Sequence, residues 1–406
     1  MGDTVDFSPP TSEIAVIGAG LNGLAAAKAF AQAGFSVLSA GPLERSGPGR
    51  TVALFGPSLE LMEAFGLGEA LRAKGAPLRG LRIVDDTGSL FAPRPVDFHC
   101  EEIGLDAFGW NIENARLAEL MVETLASEPS VTRSDATIAR LGWRDEEATL
   151  TDSTGAISST RLVVGADGRN SPTRKRAGID ARVHPYPQSA LTLFLRHSRP
   201  HDDVSTEFHT RQGPFTLVPL PAAPGAADRS SLVWLMSQAE ASRRADLDDG
   251  ALAREIERQA HGLIGRVEIE GGRGVFPMVR LNAAKLYGRR VALVGDSAHA
   301  YPPIGAQGLN LGLRDVQALV AAASEARTQG RDFGAAETLA AYARARAPDV
   351  AMRTLAVNGL NVSLLASFAP VDALRGFGLT ALRTLAPLRK IVMREGVFPR
   401  LSGLAG

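Results

Sequence analysis

An apolar run that leads straight into a glycine pattern, and from there into an alanine-rich segment, constrains this chain more than any other feature. Residues Ile14-Ala-Val-Ile-Gly18-Ala-Gly20-Leu-Asn-Gly23 read as a strand, a GxGxxG turn and the opening of a helix that continues to Ala33. Each glycine has its own task. Gly18 permits the tight turn, Gly20 lets a pyrophosphate approach the backbone, and Gly23 lets the helix pack close to the strand. The N–H groups at the helix start then face the anion. GxGxxG alone is a weak signal; after a strand and before a helix it marks a dinucleotide site, with a glycine-rich turn of an ordinary α/β protein as the bland alternative.

One expected part is missing. An acidic residue normally ends the second strand, about 20 residues on, and holds the ribose hydroxyls. Here that place reads Val37-Leu-Ser-Ala-Gly41, and Glu44 is the nearest carboxylate. The departure puts the adenosine-ribose contact in doubt and leaves the pyrophosphate site intact.

Two further segments share a pattern, an apolar strand that ends in an acid beside glycine. Residues 162–176 contain Gly165-Ala-Asp167-Gly168, and residues 291–316 contain Gly295-Asp296, His299, Tyr301-Pro302-Pro303-Ile-Gly305-Ala-Gln307-Gly308-Leu-Asn310 and Asp315. An Asp at the carboxyl edge of a strand can receive ribose or ribitol hydroxyls. The glycine-rich entry to a helix after Pro303 exposes backbone N–H groups at a positive helix end, which suits a ring that becomes anionic. The ordinary job of Asp in such loops is to cap or turn, and for Asp167 the two readings compete evenly.

Between and around these motifs the text alternates in character. Residues 1–12 read as a disordered leader. Residues 13–78, 101–180 and 276–340 form one discontinuous nucleotide-binding unit. Residues 79–100 and 181–275 are β-rich and inserted into it as a substrate domain, and residues 341–406 are helical, with breaks at Pro348, Pro370 and Pro387. Within the first unit, helical spacing of Leu59, Met62 and Phe65 predicts a single helix over 51–75 that ends near Gly66. A helix is also expected near 250–264.

Composition excludes several classes. Lys plus Arg equals Asp plus Glu, 44 each, which argues against a general electrostatic grip on nucleic acid. The single cysteine, Cys100, rules out an internal disulfide, a CxxC pair and a cysteine zinc site, and points to a reducing compartment. His197 and His201 flank Pro200 in a loop, so no metal site is expected. There is no apolar run long enough to span a bilayer and no signal-peptide pattern. Asp6 stands where a myristoylation signal needs Ser or Thr.

Taken together, GxGxxG, the Asp167-Gly168 motif and the Gly295-Asp296 motif, about 145 and about 130 residues apart, resemble the class A flavoprotein aromatic hydroxylases. Arg50-Thr-Val-Ala-Leu54, Gly109-Trp-Asn111-Ile-Glu113-Asn114, the Pro302–Asn310 loop and the tail Pro387–Arg394 are similar to the branch that hydroxylates polyprenylated phenols in ubiquinone biosynthesis. The resemblance spans nearly the whole chain. It implies an α/β fold: a discontinuous Rossmann-like FAD-binding domain with an inserted β-rich substrate domain and a helical C-terminal tail.

In that family FAD is reduced by NAD(P)H or another electron donor and O2 adds to it as a C4a-hydroperoxide that oxygenates the ring. The resemblance assigns Gly18, Gly20 and Gly23 to the pyrophosphate and Asp296 to the ribitol. Pro303, Gly305, Gln307, Gly308 and Asn310 fall beside the flavin, Arg50 and Asn114 contact the cofactor, and Asp167 shapes the site. His299 and Tyr301 are the candidates for a proton relay, against the plainer reading of His299 as a hydrogen-bonded loop residue.

An insoluble phenol implies a cytoplasmic enzyme peripheral to the inner membrane, in contact with a ubiquinone-biosynthesis complex or with the bilayer through its C-terminal helices. There Val371, Leu374, Leu382, Leu385, Leu388 and Val392 keep helical spacing among basic residues. The tail from 341 carries nine basic and three acidic residues. Docking onto the protein's own body is the competing reading. Two other functions stay open, an FAD-dependent isoprenoid reductase of the same fold and a catalytically silent flavoprotein subunit.

Overall fold

In the computed structural model, which describes residues 11–43, 47–89, 94–222, 225–302, 307–365 and 369–398, the strand Ser12–Ala19 lies in the middle of a largely parallel sheet. The strands Val37–Leu43 and Val131–Ser134 follow on one side, and Ile157–Gly165 and Val291–Leu293 on the other. A strand covered on both faces must be apolar at every position. Ile14 and Val16 pack into the helical layer while Ala15 and Ile17 pack into the opposite core, all of them buried. The helix Leu21–Gln32 buries an unbroken run from Gly23 to Ala31, because its small side chains let it sit between the sheet and the helices Asn114–Ala126 and Gln307–Thr328.

Parallel register brings three strand ends to one edge. Val16 pairs with Val164 and Ile17 with Gly165, while Gly165 pairs with Leu293. The turn after each of these strands therefore emerges at the crevice outside their carboxyl ends, where open α/β sheets bind ligands.

A second sheet has eight strands in the order 299–300, 267–283, 181–197, 228–237, 213–220, 204–210, 80–85 and 96–99. Its two longest members, Ala181–His197 and Val267–Ala283, are antiparallel neighbours of 17 residues each. The second of these runs unbroken past residue 275. The short strand His299–Ala300 pairs with it (Leu281 opposite Ala300), so the segment after Gly295-Asp296 passes directly from one sheet to the other.

Several local expectations are corrected. Residues 51–75 are not one helix. Thr51–Phe55 is a strand paired with Gly109–Glu113, followed by helices Gly56–Ala64 and Gly68–Lys74. The strand pairs with Gly109–Glu113 along its length while the side chain of Asn310 takes Ala53 O and Phe55 N, and the helix begins where Pro57 stands in the first turn and needs no N–H partner. The region near 250–264 holds Asp249–Gln259, preceded by a separate helix Gln238–Ala245. Pro348 does not break its helix, which runs from Ala336 to Leu365. An interior proline costs about 3 kcal/mol; here the same turn carries Arg346 and Asp349, which a buried ion network ties to the neighbouring helix. Pro370 and Pro387 sit in the first turns of Ala369–Thr384 and Ala386–Val397, where proline is tolerated.

Candidate functional site

The first two motifs meet backbone to backbone. Gly18 has φ +109°, and a Cβ there would lie 2.4 Å from the carbonyl oxygen of Ala166, the residue before Asp167. A Cβ on Gly23 would lie 1.9 Å from the Gly18 oxygen. Both positions are closed to any side chain. Gly20 is extended (φ −77°, ψ 176°) at the N-cap of the helix, with no side-chain cap and no acid in the first turn, so the leading N–H groups are left for an anion. Gly41, where the acid is missing, has φ +126°, and a Cβ would stand 3.5 Å from Gly18 Cα. The second strand thus passes the first turn in a glycine conformation. Glu44 lies outside the described residues.

The third motif is held from beneath. Gly295 (φ +60°) donates its amide to Asp315 Oδ2 at 3.0 Å, and the Ser297 hydroxyl donates to the Gly165 carbonyl at 2.6 Å. Buried Arg174 donates to the Ser297 carbonyl at 2.7 Å and to that of Arg169 at 2.9 Å, joining the second motif to the third. The Asp167 carboxylate accepts from the Ser171 hydroxyl and, at 2.8 Å, from the Thr173 amide. It therefore caps the short helix Pro172–Arg176. Asp296, by contrast, is exposed at the tip of the Gly295–Ser297 turn.

Asn22 was not singled out from sequence, yet it joins all the parts. A Cβ on Gly295 would lie 2.2 Å from Asn22 Nδ2, and one on Gly312 would lie 2.4 Å from its Oδ1. The amide is thus wedged between the third motif and the helix Gln307–Thr328. Its Oδ1 is buried without a hydrogen-bond partner, as is Oδ1 of Asn114. Two orphaned acceptors around glycines that exclude Cβ atoms fit a bound polar cofactor that brings its own donors.

Arg50 and Asn114 are brought together, since the Asn114 amide donates to the Arg50 carbonyl at 3.1 Å. The exposed Arg50 guanidinium stands 5.6 Å from the ring centre of Phe276 on the second sheet. The adjacent loop is pinned to that sheet. The Pro48 carbonyl accepts from the Thr192 hydroxyl at 2.9 Å, and Gly49 (φ +69°) has no room for a Cβ against Leu193. Asn310 is buried and its side chain is committed to the strand Thr51–Phe55, donating to Ala53 O (2.7 Å) and accepting from Phe55 N (3.2 Å). Gln307 opens the helix, and a Cβ on Gly308 would meet nothing within 4 Å among the described residues. Pro303 and Gly305 lie outside the described residues.

His299 is buried and Tyr301 half-buried, their rings nearly parallel with centres 5.9 Å apart. His299 Nε2 lies 2.7 Å from Asp315 Oδ2, an ion-pair distance with an angle unsuited to a hydrogen bond. The Tyr301 hydroxyl donates to Asn282 Oδ1 at 3.1 Å and shares a 2.7 Å contact with Thr354; burial pushes its pKa up. Arg346 Nε donates to Asp315 Oδ1 at 2.7 Å, and Arg346 and Arg314 both pair with Asp349. Burial pushes the Asp315 pKa up, but His299 and Arg346 outweigh it and hold the carboxyl down to about 2. The arrangement places His299 behind the third motif, in a charged network that clamps it. Asp315, Arg346, Arg314 and Asp349 were not assigned from sequence. The one available signal was a pair of charges, Arg314-Asp315, between the apolar residues Leu313 and Val316.

A Rossmann-like crevice closed by one GxGxxG turn and two glycine–acid turns, faced by a second, largely antiparallel sheet, defines a flavin-dependent hydroxylase of the para-hydroxybenzoate hydroxylase fold. The chain belongs to the FAD binding domain family, whose model matches residues 11–356, and it is an FAD-dependent monooxygenase. It is 32% identical to the ubiquinone hydroxylase UbiL of Rhodospirillum rubrum, over 98% of this chain and 92% of that one. It is 28% identical to the 3-demethoxyubiquinol 3-hydroxylase of Escherichia coli, over 94% and 97%. Among solved structures, p-nitrophenol 4-monooxygenase PnpA of Pseudomonas putida superposes with a TM-score of 0.78 at 18% identity, covering 97% of this chain and 99% of that one. The HpxO of Klebsiella pneumoniae complexed with FAD gives 0.74 at 20%, covering 97% and 100%. At these identities the two structures speak for the fold.

Proposed function

We propose that this FAD-dependent monooxygenase hydroxylates the aromatic ring of a polyprenylated phenol on the route to ubiquinone. The supporting observation is the convergence of three motifs on one crevice, with the exposed carboxylate of Asp296 presented on a turn fixed from below by Asp315. Gly18, Gly20 and Gly23 would hold the FAD pyrophosphate, Asp296 the ribityl hydroxyls, and the N-terminal turn of the helix at Gln307–Asn310 the pyrimidine edge of the ring. Asn22, Arg50 and Asn114 would complete the cradle. FAD supplies the activation of O2, with electrons from NAD(P)H or another donor.

The rest falls to the chain. The helix N-termini offer fixed positive ends to negative charge on the cofactor. The second sheet roofs the crevice and excludes water from it. The phenol would bind between that sheet and the flavin, near Phe276 and Arg50. Tyr301 and His299 stand in the segment that joins Gly295-Asp296 to Pro302, and their role would be to hold that segment in place, with any proton passing through Tyr301–Thr354.

Among the described residues no helix is long and apolar enough to cross a membrane. A substrate carrying a polyprenyl chain would reach this crevice through contact of the C-terminal helices with the bilayer, or with a lipid-carrying complex at the inner membrane. Deleting the protein from a quinone-making host and weighing the accumulated precursor tests the reading. A polyprenylated phenol lacking one ring hydroxyl is expected; an unchanged quinone pool with no such precursor would count against it.

A further inference from the structure

The strands Gly80–Asp85 and Val96–His99 close the outer edge of the second sheet. Beside them lies a cavity of about 610 Å³, none of whose lining residues belongs to the flavin crevice. Arg82 and Arg94 reach it from the sheet edge, His261 from the turn after Asp249–Gln259, and Arg383 from the last turn of Ala369–Thr384. Two of these groups have carboxylate neighbours: Arg82 pairs with Asp97 at 2.6 Å and the His261 ring stands 3.1 Å from Asp86. Arg94 and Arg383 have no carboxylate partner among the described residues. Both are exposed guanidinium groups that line one cavity and give it positive charge, and the guanidinium fork suits phosphate oxygens. The remaining wall, with Val84, Phe208 and Leu263, is apolar. A free, strongly hydrated ion has no use for such a wall; a phosphate attached to hydrocarbon does.

A second observation lies two residues further along the chain. Leu385 (53% exposed), Leu388, Ile391 (60%) and Val392 form an exposed apolar stripe, the last three at i, i+3 and i+4 on one face of Ala386–Val397. Met393 and Val397 on another face of that helix are buried in one cluster with Val96, Phe98, Cys100 and Leu379. Lys390 and Arg394 are exposed on the same helix, and Phe377 on the preceding one is 74% exposed. Single exposed apolar residues are ordinary. A stripe of them flanked by basic residues is the pattern of a helix lying in the plane of a bilayer interface.

The geometry points to this cavity as an anionic-phospholipid site, in which Arg94 and Arg383 take the headgroup phosphate while Leu385, Leu388, Ile391 and Val392 enter the same leaflet. The assignment deepens the peripheral contact proposed above by naming its lipid class and ligands, and it does not depend on which phenol is hydroxylated.

Flotation of the FAD-loaded full chain with vesicles tests it. The protein is expected to float with vesicles of phosphatidylcholine plus phosphatidylglycerol and far less with phosphatidylcholine alone. The double variant Arg94→Gln, Arg383→Gln should lose about 30-fold in partitioning to the anionic vesicles, at about a tenfold-or-less loss per cation near such a surface. Its flavin spectrum and its turnover of a short-chain, soluble phenol should match the unaltered protein, which separates failure of the lipid site from failure of the hydroxylase reading. Equal flotation by the double variant would overturn the cavity assignment. Absence of flotation, with inorganic phosphate binding the unaltered chain but not the variant in calorimetry, would replace the lipid by a soluble phosphate. Equal binding to both kinds of vesicle would reduce the contact to apolar insertion.

Discussion

The carboxylate of Asp315 is the floor of the Gly295 turn: one oxygen receives the Gly295 amide at 3.0 Å and the other receives Arg346 at 2.7 Å. The helix Ala336–Leu365 is thereby coupled to the turn that presents Asp296. Asp315→Asn keeps the shape and an acceptor for Gly295 but leaves Arg346 with one counter-charge fewer. Breaking a buried pair in this way costs about 3–5 kcal/mol. We expect a lower unfolding midpoint in denaturant together with weaker FAD binding, measured on the same sample by flavin fluorescence.

The same carboxyl sets an acid response. Its pKa in the folded chain is about 2, below the ordinary 3.8. A depressed carboxyl contributes stability that is fully present above its unfolded pKa and is lost as pH falls through the folded one. Glu255, held down to about 2 chiefly by Arg243 and then by Arg244 against the upward push of burial, acts in the same direction. The unfolding midpoint should fall steeply between about pH 4.5 and pH 2, and Asp315→Asn should flatten that slope. An unchanged slope in the variant would show that other carboxylates carry the acid response.

Glycine substitutions separate folding from binding. At Gly18 a Cβ meets backbone at 2.4 Å in a positive-φ conformation, so Gly18→Ala should displace the turn and abolish FAD binding. At Gly308 a Cβ meets nothing within 4 Å among the described residues. Gly308→Ala should melt within a degree or two of the unaltered apoprotein. Any loss of FAD affinity in it reports the cofactor filling that space, and equilibrium titration of both variants distinguishes the cases.

Asp296 is exposed on its turn, so Asp296→Ala should leave the apoprotein folded, as its circular dichroism would show. Hydrogen bonds to a charged group are worth about 1.5–3 kcal/mol. A loss of roughly tenfold or more in FAD affinity is therefore expected from calorimetry.

The nucleotide crevice was legible in the sequence because its parts are local. A glycine that must turn and an acid that must end a strand leave their mark within a few residues, as at Gly18–Gly23 and Gly295-Asp296. What supports them was not. The amide wedge of Asn22 against Gly295 and Gly312, the Asp315–Gly295 bond across 20 residues and the Arg346–Asp315 pair across 31 are products of packing. The strand Thr51–Phe55 was hidden for the same reason, since its backbone partner on one side is the side chain of Asn310, more than 250 residues away. Asp167 showed both readings from the start, and its carboxylate is committed to capping the helix at Pro172.

The central claim is met most directly by following the oxygen atom. The FAD-loaded protein, given a reductant and the phenol that accumulates in its absence, should yield under isotopically labelled O2 a product carrying one labelled oxygen on its ring. A product that gains hydrogen on its isoprenoid chain without label, or whose new oxygen comes from water, would contradict the account.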